Sequence, residues 1–143
     1  MADGDLAPTL AAARVHAQWL PPRGTVWHVA GGEHWDVVRA PLSLALAALE
    51  LLGDDCGAVI CDPWARTLHF LVEPSSTADW QVPRTTAGST ATYLTVPPLD
   101  GRDPQLHWKR SPTQDRVITD TELLRTALAG AVAHQLGPRT EKP

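Results

Sequence analysis

The stretch Glu33-His34-Trp35-Asp36 holds the residue types from which acid–base and metal chemistry is built. Side chains alternate along a strand, so His34 and Asp36 fall on one face, Glu33 and Trp35 on the other. A histidine and an aspartate two apart can supply two metal ligands, or a base and the group that orients it. Asp62 and His69 are the further groups such a site would draw on, with His28 and His107 as outlying candidates. Nothing in the spacing makes these groups converge. Isolated His and Asp near a strand start ordinarily serve as hydrogen-bonded surface residues. No catalytic residue, no metal site and no cofactor is therefore assigned.

Sharper motifs are absent. The chain has no glycine-rich phosphate loop ending in Lys-Ser/Thr, no Gly-x-Gly-x-x-Gly, no Gly-x-Ser-x-Gly and no His-Glu-x-x-His. Arg39, Arg66, Arg84, Arg102, Arg110 and Arg116 are separated in sequence and fall mostly in expected turns, which reads as solvated loop arginines.

The aromatic balance is unusual: six tryptophans against one Phe and one Tyr. Indoles anchor cores, and they also dominate binding hot spots because they bury much area while keeping an N–H donor. Trp27 and Trp35 fall in strands and read as core. Trp64, at an expected hairpin tip, and Trp80, in a loop, are candidates to face a partner. Trp108, beside Lys109 and Arg110, offers a small single-strand nucleic-acid contact. The net charge of −4 argues against a broad nucleic-acid footprint.

With 43% hydrophobic and 20% charged residues over 143 positions, the chain reads as one ordinary globular domain. The ordered core is expected over about 8–137, with frayed termini. No apolar run approaches the ~20 residues that cross a bilayer, and the acidic start is unlike a secretory signal. Cys56 and Cys61 have no second pair to complete a zinc site and read as buried reduced thiols. Together these features indicate a cytoplasmic protein without membrane contact.

Hydrophobic periodicity predicts the elements that must position these groups. Helices are expected over Pro8–Leu20, over Pro41–Leu52, where apolar residues all round predict burial on most sides, and from Thr119 to Leu136. Thr119-Asp120-Thr121-Glu122 has the form of a capping box for the last helix. Strands are expected at 25–30 and 35–39, paired through a Gly31-Gly32 turn, and at 57–61 and 67–72 about a turn over 62–66. Another is expected at 92–96, with 106–108 as a short edge partner. The expected fold class is α+β: a single antiparallel, possibly mixed, sheet of about five strands with three helices packed on it.

Three stretches carry a resemblance: Trp35-Asp36-Val37-Val38-Arg39-Ala40-Pro41; Leu68-His69-Phe70-Leu71-Val72-Glu73-Pro74 leading to Trp80; and Ala91 to Pro98 with His107-Trp108 and Pro112 beyond. They resemble short actinobacterial proteins that look like degenerate relatives of the N-terminal domain of bifunctional DNA primase/polymerases. In the catalytic members an apolar strand ends in a metal-binding Asp-x-Asp pair. Here Val59-Ile60-Cys61-Asp62 offers Asp62, and Trp64 stands where the second acid belongs. The family's Gly-x-His is likewise missing, since Thr67 precedes Leu68-His69-Phe70. The resemblance therefore implies a scaffold kept without its polymerase chemistry, because two-metal transfer needs several carboxylates.

The expected function is a non-catalytic binding or regulatory protein that acts through protein–protein contacts, with a protein partner or a second copy. The alternatives are a metal- or nucleotide-binding remnant centred on His34, Asp36, Asp62 and His69, and a weak single-stranded nucleic-acid binder.

Overall fold

A computed structural model describes residues 17–136 of the chain. In order along the chain are β1 (Trp27–Ala30), β2 (Asp36–Pro41), α1 (Leu42–Leu52), a 3-10 turn (Gly53–Asp55), β3 (Val59–Asp62) and β4 (Thr67–Val72). β5 (Thr86–Gly88), β6 (Tyr93–Val96), β7 (His107–Arg110) and α2 (Thr121–Leu136) follow. The class is α+β, but the strands form two sheets rather than the single sheet expected. One is antiparallel with five strands in the order β5-β2-β4-β3-β7, and the other is a ribbon of β1 and β6.

Two α-helices, not three, lie among the described residues. The helix expected over 8–20 falls mainly outside them. Its last residues, 17–20, form a turn closed by the Leu20 amide on the Ala17 carbonyl at 3.0 Å. The expected frayed ends also lie outside the described residues.

The second sheet arises where a local hairpin was expected. β1 does not turn back on β2; it pairs with β6, Trp27 opposite Val96 and Ala30 opposite Tyr93. Gly31 extends that pairing by donating to the Thr92 carbonyl at 2.7 Å. A Cβ on Gly31 would stand 2.8 Å from the Ser89 carbonyl oxygen, and one on Gly32, whose φ is +91°, would stand 2.7 Å from the Thr90 methyl. The glycine pair thus lets the chain pass against the 89–92 loop and cross from one sheet to the other. β7 is a similar case: it edges β3 rather than β6. Its link to the 92–98 segment is a side-chain one, the Trp108 indole donating to the Pro97 carbonyl at 3.0 Å.

β4 is flanked by β2 and β3 and is buried from Leu68 to Val72, as its continuous apolar run predicts. One face of the large sheet presents Val38, Ala40, Val59, Leu68, Phe70 and Val72 to both helices. The other presents Val37, Ile60, Leu71 and Trp108 to Trp19, Leu20, Trp35, Leu94 and Val96. There Trp19 meets Trp35 edge to face, with ring centroids 5.6 Å apart. Such pairs add about 0.5–1.5 kcal/mol beyond their buried area. Trp27, expected in the core, is only half-buried.

Local signals set the helix limits. α1 starts after Pro41, its first amide donating to the Arg66 carbonyl at 2.9 Å, and Gly53 at φ +53° ends it. Its burial is one-sided: Leu44, Ala45, Ala48, Leu49 and Leu52 face the sheet and α2, while Leu46 and Leu51 are exposed. The expected capping box is displaced by one residue. Asp120 caps α2 by accepting from the Leu123 amide at 3.0 Å, while Glu122 pairs with Arg125. Thr119 is fully buried, and its hydroxyl accepts from the Gly57 amide at 2.8 Å.

Candidate functional site

Strand register builds a row of side chains across the second face of the large sheet. Arg39 of β2 lies opposite Thr86 of β5 on one side and His69 of β4 on the other, and His69 in turn lies opposite Ile60. The next row toward the α1 end pairs Thr67 with Asp62. Alternation places Val37 and Leu71 on this same face, under the tryptophan-rich layer. The face is therefore apolar at one end and polar at the other. Arg39, His69, Thr67, Asp62 and Thr86 are the polar end.

His69 is the most constrained of them, with 8% of its surface exposed. Its Nε2 lies 3.1 Å from the Thr67 hydroxyl, while Nδ1 is buried without a partner. Burial, helped by the neighbouring Arg39 charge and opposed by Asp62, pushes its pKa down to about 4. The ring is neutral at neutral pH.

Arg39 is half-buried in a strand, not the solvated loop arginine expected. Its Nη2 donates to the Tyr93 carbonyl at a long 3.5 Å, and its Nε is buried with no partner. No carboxylate among the described residues forms an ion pair with it. The guanidinium borders a cavity of about 240 Å³ whose other walls are Val37, Thr86, Ala87, Gly88 and Thr92. The signal in the sequence was the alternation itself: Val37 and Arg39 must share a face, so a charge follows an apolar residue onto a half-covered sheet.

The residues singled out from sequence do not form one site. His34 is exposed and precedes β2, whereas Asp36 is fully buried. Asp36 accepts from the Thr77 hydroxyl at 2.7 Å and the Thr77 amide at 3.3 Å. Burial works to raise its carboxyl pKa. Hydrogen bonding, chiefly from the Thr77 hydroxyl, outweighs it and holds the group below the usual carboxylate range. Asp36 is thus a clamp on the loop after β4. His28 pairs with Thr95, and His107 with the Gln105 carbonyl, both at the surface. Among the described residues no three His, Cys, Asp or Glu side chains come together as a metal site.

The tryptophan candidates separate clearly. Trp64 is 86% exposed at the tip of the β3–β4 hairpin. Asp62 shapes that tip, its Oδ1 accepting from the Trp64 amide at 3.1 Å and the Ala65 amide at 3.2 Å. Trp80 is not free. Its indole donates to the Thr85 hydroxyl at 2.8 Å, and the Arg125 guanidinium lies 5.2 Å from its ring. It packs the 79–85 loop onto α2. Trp108 is buried, so no nucleic-acid base can stack on it, and Arg110 beside it is engaged with the Gly53 carbonyl.

No protein-family model matches the chain, and neither a curated protein nor a solved structure matches it.

Proposed function

We propose that the protein is a non-catalytic binding or regulatory protein that holds a second protein chain through the β3–β4 hairpin tip. The observation that carries this reading is the exposed Trp64 on a turn held by the Asp62 carboxylate and braced against α1 through the Arg66 carbonyl. An indole left in water costs hydrophobic free energy unless a partner covers it. Holding it on a hydrogen-bonded turn lowers the ordering cost of binding. Asp62 and Trp64 also bear on the primase/polymerase resemblance. On this reading the chain is a degenerate copy whose remaining acid now shapes a turn, so two-metal chemistry has no clamp. A cytoplasmic setting fits the two unpaired cysteines, Cys56 and Cys61. No helix among the described residues is long and apolar enough to cross a membrane.

The test compares wild type with Trp64→Ala. The change should leave stability within about 0.5 kcal/mol, because the side chain is exposed. Both proteins are passed through the same lysate of the source cell and run by native mass spectrometry. A stoichiometric second chain, or a second copy, held by wild type and lost from the variant is the expected result. Equal retention by both, or no complex with either, overturns the proposal.

A further inference from the structure

Arginine carries five N–H donors on a charge that is costly to bury without a counter-charge. Arg39 uses one of them at 3.5 Å, leaves the buried Nε unpaired, and has no carboxylate partner among the described residues. Beside it lies the cavity of about 240 Å³, which also carries the side chains of Thr86 and Thr92. That is room for roughly eight waters at ~30 Å³ each, or for one small group with a short tail. The cavity depends on Gly88: a Cβ there would stand 2.5 Å from the Thr92 hydroxyl oxygen. Val37 provides apolar wall, and Ala87, whose side chain packs on the opposite face with Val38, borders the cavity with its backbone.

From this geometry we infer that the cavity between β2, β5 and the Thr92 segment is a binding site for a small oxyanion, a carboxylate or a phosphate, held by Arg39. The planar guanidinium matches either group with two parallel hydrogen bonds, and the two threonines supply further donors. The apolar wall then accepts the carbon next to the anionic group. The site needs no catalysis and does not involve Trp64.

His69 serves as an internal reporter. It lies opposite Arg39 on the neighbouring strand, and the charged groups acting on it are Arg39 from β2 and Asp62 from β3. An anion bound to Arg39 offsets the positive charge that now disfavours the imidazolium. The His69 ring pKa must therefore rise when the site fills.

The experiment titrates the folded, isotope-labelled chain separately with inorganic phosphate, acetate and chloride at constant ionic strength, recording amide and His69 ring shifts by NMR. Saturable movement of the Thr86–Gly88 and Thr92 amides with phosphate or acetate is expected, together with an upward shift of the His69 titration. The better-bound anion identifies the class of ligand. Arg39→Gln should weaken that binding by about 10- to 100-fold, the loss of a charged hydrogen-bonding partner. Thr92→Val, which keeps the side-chain shape, should weaken it by about threefold to tenfold. It carries the test if Arg39→Gln does not fold. Trp64→Ala should leave anion binding unchanged, so failure of the partner proposal and failure of this one are distinguishable. Non-saturating shifts, equal response to chloride, or undiminished binding in the folded variants would overturn the inference.

Discussion

Replacing His69 by Gln should make the protein less sensitive to acid. In the folded chain burial and Arg39 hold the His69 pKa at about 4, against 6.5 for a free imidazole. Between those values the unfolded chain binds a proton that the folded chain does not. Acidification through this window therefore favours unfolding. The stabilisation is fully present above the unfolded value and is lost as pH falls toward the folded one. Going from about pH 7.5 to about pH 4.5, the linkage amounts to roughly 2.5 kcal/mol. The group is almost fully buried, so solvent screening removes little of it. Urea unfolding of wild type and His69→Gln at both pH values measures the difference. Every other titrating group contributes to both proteins, so the wild type should lose about 2–3 kcal/mol more than the variant. The variant starts less stable, having exchanged the imidazole beside Thr67, but its pH slope is the readout. Parallel pH profiles, or a His69 ring titration near 6.5 by NMR, would refute the placement of His69 as a neutral buried group.

Three further variants test the hydrogen bonds. Asp36→Ala should cost about 2–3 kcal/mol in urea unfolding, since Thr77 loses a charged acceptor for two bonds in a buried setting. Because the Asp36 carboxyl is held below its usual pKa, it stabilises the fold above that range and ceases to as pH falls through its folded pKa. The variant should accordingly show a flatter acid limb; an unchanged limb would contradict the clamp. At the start of α2, Asp120→Ala should cost about 1 kcal/mol as a lost exposed cap. Thr119→Val should cost more, about 1–3 kcal/mol, because the buried Gly57 amide is left unpaired. No measurable loss from Asp120→Ala would return the capping role to Thr119.

The sequence by itself determined what depends on near neighbours. α1 and α2 lie close to their expected positions because apolar spacing, Gly53 and the Thr119–Glu122 segment act within a turn or two. The β3–β4 hairpin and the buried β4 are local in the same sense. Exposed Trp64 was legible because its turn is built from adjacent residues.

Only the tertiary structure decided the pairings between distant segments. β1 joined β6 and β7 joined β3 because strand partners are chosen by which apolar faces must be covered together, a condition that no single strand states. The same condition separated the tryptophans: Trp108 and Trp19 went to the layer over Ile60 and Leu71, and Trp80 went under Arg125. It also kept Asp62 and His69 together at the polar end of one face while setting Asp36 on the other face and leaving His34 outside the strands. Arg39 was hidden for the complementary reason. Its residue type reads as solvated, and register set it between Thr86 and His69 with no acid among the described residues to meet it.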